Sequence, residues 1–445
     1  MTAKPLTLRE ISLFFFPLLL NVQMMSVSHS IINAGLARDT DFVTALAAFA
    51  VAMALHGLLA SASYQNHTIT IAMVRGRRSL RGTVIFVILV ASLVSLLLAT
   101  VAFTPVGDFV LGRLLGVSGD IAYHAKAVLG ILVFLPFLTG FRGFFQGLVM
   151  QARQTALVSL ATIVRVIALL GFLILGRRWF SGAELGAFAL LACIVIETAL
   201  MGAFAWRCRI HHEGGADERG ALEVLRFAFP LAYASCLQQS VPLLINAIIS
   251  RLPDGALALA SFGVIRGFIF LLAGPMRNLL QAYQTMVKND ADYRVLVRFF
   301  RWVGSALAII TVLIAFPLSG PVLGALMGLD ASTRAYIALP LAACSLYCYL
   351  YGAVSLLRGW FTNEDRTTEL GRSVIYKVLF LGLCWGAFLL LPIPVPGVAV
   401  AVFLLMAAEV CEAWYLHHRR RRLRRAARAV LPAPLPETRL RRTMD

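Results

Sequence analysis

The chain has 445 residues, of which 60% are hydrophobic and only 14% charged, and its mean hydropathy is +0.82. Soluble domains are closer to half apolar and a quarter charged, so this composition excludes an ordinary soluble protein. The net charge of +18 would suit nucleic acid, but in a membrane protein excess lysine and arginine reflect loop asymmetry and lipid contact. We therefore predict no nucleic-acid partner.

Apolar stretches of about 20 residues recur along the chain, and each is long enough to cross a bilayer core of about 30 Å. No polar stretch is long enough to bury a core of its own, so we predict an all-α integral membrane protein with twelve transmembrane helices. The predicted spans are 11–34, 45–72, 83–104, 122–149, 156–176, 185–206, 227–250, 258–286, 303–325, 335–360, 373–391 and 397–416.

The first span belongs to a stretch that occurs twice. Residues 14–59 and 227–272 align without a gap at an offset of 213, and 16 of the 46 positions are identical. Chance rarely aligns Pro17, Asn33, Arg38 and Asp41 with the same residue types. The repeat predicts two parallel six-helix bundles around a central cavity. The predicted parts are an N-terminal bundle (1–206), a cytoplasmic linker (207–224), a C-terminal bundle (225–416) and a basic cytoplasmic tail (417–445).

Lysine and arginine are distributed unevenly over the predicted loops. One set of segments holds 27 of them and the opposite set holds six, which places both termini in the cytoplasm of an inner or plasma membrane. The basic tail is expected to contact anionic lipid. The seven cysteines are scattered without a CxxC pair, so we predict no disulfide framework, no metal site and no cofactor. We expect a monomer.

Some charges inside the predicted spans recur in both halves. Arg165 and Glu197 return as Lys377 and Glu409 at an offset of 212, which predicts a structural ion pair between the fifth and sixth helices of each bundle. The alternative is that Glu197 or Glu409 carries a proton. Two further arginines lie near the cytoplasmic ends of the fourth and tenth spans, where they would extend to the surface or bind phosphate. They are Arg142 and Arg358.

Other ionisable residues occur in one half only. Span 2 carries His56 and His67, and span 8 carries Arg266 and Arg277. Eleven residues are close to three helical turns, so each pair is expected to share one face of its helix. An arginine near the middle of a span keeps its charge and needs a partner or a watery cavity. The alternatives are that the histidines are packing residues and that Arg277 extends to the surface.

Spans 1 and 7 add polar side chains. Span 1 has His29 and Asn33 on one stripe, and span 7 has Gln239 and Asn246, with Pro242 at the position of His29. The polar residues therefore gather on spans 1, 2, 7 and 8, where we predict the substrate site. Its predicted members are Arg266, Arg277, His56, His67, His29, Asn33, Gln239 and Asn246.

These features resemble the multidrug/oligosaccharidyl-lipid/polysaccharide (MOP) flippase superfamily, and within it the progressive ankylosis (ANK) membrane proteins. The residues that carry the closer resemblance are Phe229-Pro230-Leu231-Ala232, Gln239, Pro242, Asn246, Ser250-Arg251, Ala273-Gly274-Pro275-Met276, Gly397-Val398 and Glu409. The resemblance implies two bundles in a V, alternating access, and export of small anions such as pyrophosphate, citrate or nucleotides. The predicted first and seventh spans lack the acidic residue of cation-coupled multidrug members, which argues against drug antiport.

We therefore expect a transporter that exports a small anionic solute, with the two arginines binding its charge. The alternative is a flippase for a lipid-linked oligosaccharide or an anionic lipid, because a diphosphate head group would need the same arginines. A membrane-embedded transferase and a non-transporting scaffold are the options of other classes. The sequence has no nucleophile elbow, Walker loop or HExxH motif, so we predict that it is not an enzyme.

Overall fold

The computed structural model describes residues 6–36, 41–114, 119–208, 218–249, 251–252, 254–327, 329–390 and 395–430, without the side chains of 26, 29, 30, 42, 43, 114, 256, 260, 326, 389, 390 and 427–430. Within these ranges the protein is helical and has no β-strand. Eleven helices are long and apolar enough to cross a membrane, and a bent pair in the second half makes the twelfth span. The predicted all-α membrane fold is confirmed.

We number the twelve spans α1 to α12, and four of them consist of two helical parts. They are α1 (Leu8–Leu36), α2 (Phe42–Ala60 and Asn66–Met73), α3 (Arg77–Phe103), α4 (Asp120–Ile131 and Leu135–Gln151), α5 (Thr155–Leu175), α6 (Gly182–Arg207), α7 (Ala221–Ile249), α8 (Gly255–Leu272 and Asn278–Met286), α9 (Asp290–Ala315), α10 (Ala331–Ala343 and Ser345–Asn363), α11 (Thr367–Leu390) and α12 (Gly397–Val430).

The duplication extends to irregular features of the backbone. α2 is interrupted by a 3-10 turn at Ser61–Gln65, and α8 by one at Gly274–Arg277, with a bend of 50°. Wide π-helical turns follow α3 at Phe109–Leu114 and α9 at Ser319–Leu326. These pairs occupy corresponding positions in the two halves. The irregularities are therefore part of the repeated unit.

Each half packs in the same way. α1 lies against α5 and α6, and α7 lies against α11 and α12. The halves meet reciprocally: α1 contacts the second part of α8 and α9, while α7 contacts the 3-10 turn of α2 and α3. These reciprocal contacts join the two bundles. Helices α1, α2, α7 and α8 lie at the contact between the bundles, as the repeat predicts.

A proline inside α1 explains one contact between α1 and α5. Pro17 has no N–H, so it cannot donate to the carbonyl of Leu13 one turn earlier. The hydroxyl of Thr155 at the start of α5 donates to that carbonyl instead, at 3.4 Å. The Ser159 hydroxyl donates to the carbonyl of Pro17 itself. Polar side chains of α5 thus satisfy backbone groups at and beside the proline.

Several of the predicted span boundaries are wrong. α12 does not end at 416 but continues to Val430, because its arginine- and alanine-rich end favours helix. α9 begins at Asp290 and ends at Ala315, before the π-helical turn. α1 and α7 begin earlier than predicted and include Glu10 and Glu223 in their first turns, so these helices are not free of acidic residues. The linker residues 209–217 and the tail beyond 430 lie outside the described residues.

Candidate functional site

The two halves are held together at the end of the molecule that contains Leu6. The Leu6 amide donates to Asp292 at 3.4 Å, and the side-chain amide of Gln284 donates to the carbonyl of Thr68 at 3.3 Å. Phe15 of α1 packs edge-on against Phe299 of α9, with ring centroids 5.2 Å apart. We call this end the closed end.

Polar contacts between the halves continue from the closed end to the 3-10 turn of α2. The side-chain amide of Gln65 donates to the Ser235 hydroxyl at 2.8 Å, and the ring of His67 lies 2.7 Å from the side chain of Gln281. In the amide orientation that satisfies both groups, His67 Nε2 donates to the Gln281 oxygen. His67 is therefore a contact between the halves rather than a free donor in a cavity.

Beyond these contacts the helix surfaces open. A Cβ atom built on Gly57 of α2, or on Gly263 or Gly267 of α8, would meet no atom within 4 Å. Arg266 lies between the two glycines in the first part of α8, and its side chain is exposed. Among the described residues its guanidinium has no hydrogen bond or ion pair.

The predicted polar residues of α1 and α7 are also without partners. Gln239 and Asn33 are exposed and Asn246 is partly exposed. None of the three has a hydrogen bond within the part of the chain that the structure describes. His29, which we predicted beside them, has its side chain outside the described residues. Three amide side chains thus remain available to a ligand.

The two histidines of α2 do not share one face, and this prediction is wrong. A 3-10 turn has three residues per turn, so the five residues Ser61–Gln65 rotate the following helix by about 100° more than α-helix would. His56 is buried, with 2% of its surface exposed, and neither ring nitrogen has a partner among the described residues. His67 faces the other half. The turn at Gly274–Arg277 separates Arg266 from Arg277 in the same way.

Arg277 is exposed at the 3-10 turn of α8. It lies one helical turn before Gln281, whose side chain contacts the His67 ring at 2.7 Å, and the 3-10 turn of α2 that carries Tyr64 is packed against α4 near Arg142. Tyr64 is 40% exposed although helices surround it. Sequence reasoning did not identify Tyr64, because a tyrosine in an apolar span has no distinctive pattern.

A buried ionic cluster lies inside the first bundle. Glu197 of α6 accepts from Arg142 at 2.8 Å and lies 3.5 Å from Arg165 of α5. The Thr162 hydroxyl donates to the same carboxylate at 3.0 Å, and Arg165 donates to Ser28 of α1 at 2.8 Å. Arg142 does not extend to the surface as predicted, because it is drawn inward to this carboxylate.

The second bundle holds a corresponding cluster with one more carboxylate. Lys377 is fully buried between Glu409, at 2.5 Å, and Glu412, at 2.9 Å. Arg358 donates to Glu412 through Nε at 2.7 Å, so it does not extend to the surface either. The Tyr347 hydroxyl donates to Glu409 at 3.4 Å. Glu412 escaped prediction because Leu200 occupies its position in the first half.

The structure shows no metal centre in its described part, since no three His, Cys, Asp or Glu side chains come together there. The seven cysteines are free thiols.

Comparison with known proteins identifies the family. The family model of the progressive ankylosis protein (ANKH) matches residues 7–251, more than half of the chain. The chain belongs to this family. The match covers the first half and the start of the second, and it includes the residues from Phe229 to Arg251 that carry part of the sequence resemblance. No curated protein matches the chain.

Solved structures show that this progressive ankylosis family member has the fold of MATE transporters. A MOP superfamily transporter from Pyrococcus furiosus is 14% identical, with a TM-score of 0.68, over 93% of this chain and 95% of that one. A multidrug resistance MATE transporter in an outward-facing conformation is 15% identical, with a TM-score of 0.69, over 94% and 97%. A eukaryotic MATE transporter is 16% identical, with a TM-score of 0.66, over 95% and 98%. At these identities the likeness concerns the fold.

Proposed function

We propose that this progressive ankylosis family member moves a small anionic solute, an organic anion or a phosphate-containing one, by alternating access. The observation that carries the proposal is Arg266, an exposed guanidinium within a candidate membrane span that has no ion-pair partner in the described residues. Arginine stays charged at any physiological pH. A permanent cation of this kind in a membrane cavity marks a ligand site.

The surroundings of Arg266 favour an anion that also accepts hydrogen bonds. Gln239, Asn246 and Asn33 supply amide donors, and the neighbouring Gly263 and Gly267 leave open space beside the guanidinium. Carboxylate and phosphate both match the paired N–H groups of arginine. A fold relative from Pyrococcus furiosus is described as having a binding pocket of reversed polarity, which agrees with a positively charged site in this fold.

The distribution of lysine and arginine supports a cytoplasmic location for both termini, and hence for the closed end, in an inner or plasma membrane. The site in this structure then faces outward, and the opposite state would load solute from the cytoplasm. A membrane potential that is negative inside drives an anion outward by about 2.3 kcal/mol per charge per 100 mV. Export therefore requires no coupling ion. The arginines at the end of α12 would rest on anionic lipid.

The proposal is tested in liposomes that contain the purified protein and radiolabelled citrate or pyrophosphate. We expect efflux from the parent protein, a rate at least tenfold lower for Arg266→Gln, and a partial rate for Arg266→Lys, which keeps the charge but loses the paired donors. Arg113→Gln serves as the control, because Arg113 is exposed outside the spans. An Arg266→Gln protein that transports every tested anion at the parent rate would contradict the proposal.

A second candidate, a lipid flippase, is favoured by a groove on the side of the first bundle. The groove has a volume of about 660 Å³ and lies between α1 and α5. It is lined by Leu13, Phe16, Leu20 and Ile163, with Arg9 among its lining residues. An acyl chain could lie along it with a phosphate at the arginine. Movement of a fluorescent anionic lipid between leaflets, lost in Arg9→Gln but retained in Arg266→Gln, would favour this candidate.

A further inference from the structure

We propose that Tyr64, Arg142 and Arg277 form a second anion subsite at the junction of the two halves. The inference rests on the proposed function, and it assigns to the transported anion a further position nearer the closed end than Arg266. The subsite would use a phenol donor and two guanidinium groups contributed by α2, α4 and α8. Its ligand class is a small carboxylate or phosphate anion.

The first argument is the charge of the buried clusters. In the second bundle, Arg358 and Lys377 face Glu409 and Glu412, so two positive charges meet two negative ones. In the first bundle, two arginines share one carboxylate. One positive charge therefore remains without a carboxylate among the described residues. An unbalanced buried charge is costly, and a bound anion nearby would stabilise it.

The second argument is the position of Tyr64. The 3-10 turn that carries it is anchored to α4, because Asn66 Nδ2 donates to the carbonyl of Gly140 at 3.2 Å. A Cβ on Gly143 would lie 3.2 Å from the Cβ of Asn66, so the two backbones approach closely. This packing places the turn that carries Tyr64 against the segment of α4 between those glycines, which contains Arg142.

The third argument is that the subsite spans both halves. The His67 ring contacts the Gln281 side chain at 2.7 Å. Tyr64 lies three residues before His67 in α2, and Arg277 lies four residues before Gln281 in α8, so this contact brings the two segments together. The Tyr64 hydroxyl has no hydrogen-bond partner in the described part of the chain. An anion held by Tyr64 on one side and Arg277 on the other would bind one arrangement of the halves better than the other. Only such differential binding shifts a conformational equilibrium.

Tyr64→Phe tests the subsite by removing a single hydroxyl from an exposed residue. In the liposome assay with citrate and with pyrophosphate, we expect the half-saturating concentration to rise about tenfold, the effect of losing one hydrogen bond to a charged group. Tyr123→Phe, at a residue with 72% exposure in α4, should behave like the parent. Tyr64→Phe and Arg277→Gln should be non-additive when combined, since both remove contacts to the same anion.

The outcomes separate this inference from the proposed function. If Arg266→Gln abolishes efflux while Tyr64→Phe matches the parent with both probes, the second subsite is overturned and the function stands. If Tyr64→Phe and Arg277→Gln each weaken binding but add independently, the shared subsite is also overturned. If Arg266→Gln has no effect and only Tyr64→Phe and Arg277→Gln weaken transport, the junction is the site and the role of Arg266 fails.

Discussion

At the scale of single residues, the ionic clusters show how this chain keeps charge inside a membrane domain. Lys377 is fully buried, and its ammonium is shared by two carboxylates on α12. Each carboxylate has further donors, from Tyr347 to Glu409 and from Arg358 to Glu412. The cluster therefore ties α10, α11 and α12 together. Removing one member leaves buried charges without a counter-charge.

We expect Lys377→Met to destabilise the protein by about 3–5 kcal/mol, because two carboxylates then face one guanidinium in a dry interior. Thermal unfolding in detergent measures the change. Arg372→Met is the matched control, since Arg372 pairs with Glu369 at 3.6 Å and is 54% exposed. Adding Glu409→Leu to Lys377→Met should recover part of the loss. A single variant as stable as the parent would show that the cluster is not ionised.

The sequence predicts some of these residues and misses others for identifiable reasons. Arg165, Glu197, Lys377 and Glu409 recur at one offset, so comparing the halves is enough to pair them. Glu412 has no counterpart in the first half. Whether Arg266 has an ion-pair partner depends on which side chains the neighbouring helices place near it. The local sequence around Arg266 does not contain this information. Contacts between halves are the least predictable, because they depend on the conformational state.

At the scale of helices, the two halves use glycine at the same contact. A Cβ on Gly147 of α4 would lie 2.6 Å from Thr70 Cβ, and a Cβ on Gly359 of α10 would lie 2.7 Å from Tyr283 Cβ. Thr70 and Tyr283 are equivalent positions in the second parts of α2 and α8. Small residues let membrane helices approach closely. The second part of each broken helix is thereby fixed to its own bundle.

Gly147→Ala and Gly359→Ala should each lower the unfolding temperature, because an added methyl group would meet a Cβ atom that cannot move without its helix. Gly171→Ala provides the comparison, since a Cβ at Gly171 of α5 meets no atom within 4 Å. That substitution should be neutral or slightly stabilising, as alanine favours helix over glycine. Equal losses in all three variants would argue against the close contacts.

A loop outside the spans predicts a pH dependence. The Asp254 carboxylate accepts hydrogen bonds from the Tyr336 hydroxyl and from the Gly397 amide, the latter at 2.8 Å, and so joins α8, α10 and α12. Partial burial raises the pKa of Asp254, but these hydrogen bonds outweigh it, so the pKa lies below its usual value. The stabilisation of the folded protein is therefore fully present above the pKa that Asp254 has in the unfolded chain. It is lost as the pH falls through the lower pKa that Asp254 has in the folded protein.

Between pH 6 and pH 3 the parent should therefore lose more thermal stability than Asp254→Asn. The asparagine variant does not titrate and should be less stable at pH 6. Unfolding temperatures measured across this range in the same detergent test the prediction. Parallel pH profiles for the two proteins would contradict it.

The helix breaks mark the limit of prediction at this scale. Gly274-Pro275 is a recognisable interruption of α8. Ser61–Gln65 contains neither glycine nor proline. The break in α2 could therefore be predicted only by comparison with the corresponding break in α8. Helical periodicity does not detect either break. It therefore predicts, wrongly, that His56 and His67 share one face of α2 and that Arg266 and Arg277 share one face of α8. The number of spans was predictable because bilayer thickness sets the length of an apolar helix.

At the scale of the whole molecule, two similar halves are in contact at the closed end, and Arg266 has no ion-pair partner among the described residues. Hydrogen bonds such as that from Leu6 to Asp292 accompany buried apolar packing at this end, including Phe15 against Phe299. The ionic clusters lie inside each bundle. Alternating access, as proposed, would separate the apolar contact while the ionic clusters hold each bundle together.

In the proposed function, an anion crosses the membrane through the site at Arg266 and Arg277. The most direct measurement is efflux of citrate or pyrophosphate from liposomes whose potential is set by potassium and valinomycin. We predict that the parent protein speeds efflux when the inside is negative, and that the Arg266→Gln/Arg277→Gln double variant does not. Efflux by the double variant at the parent rate, with the same voltage dependence, would contradict the account.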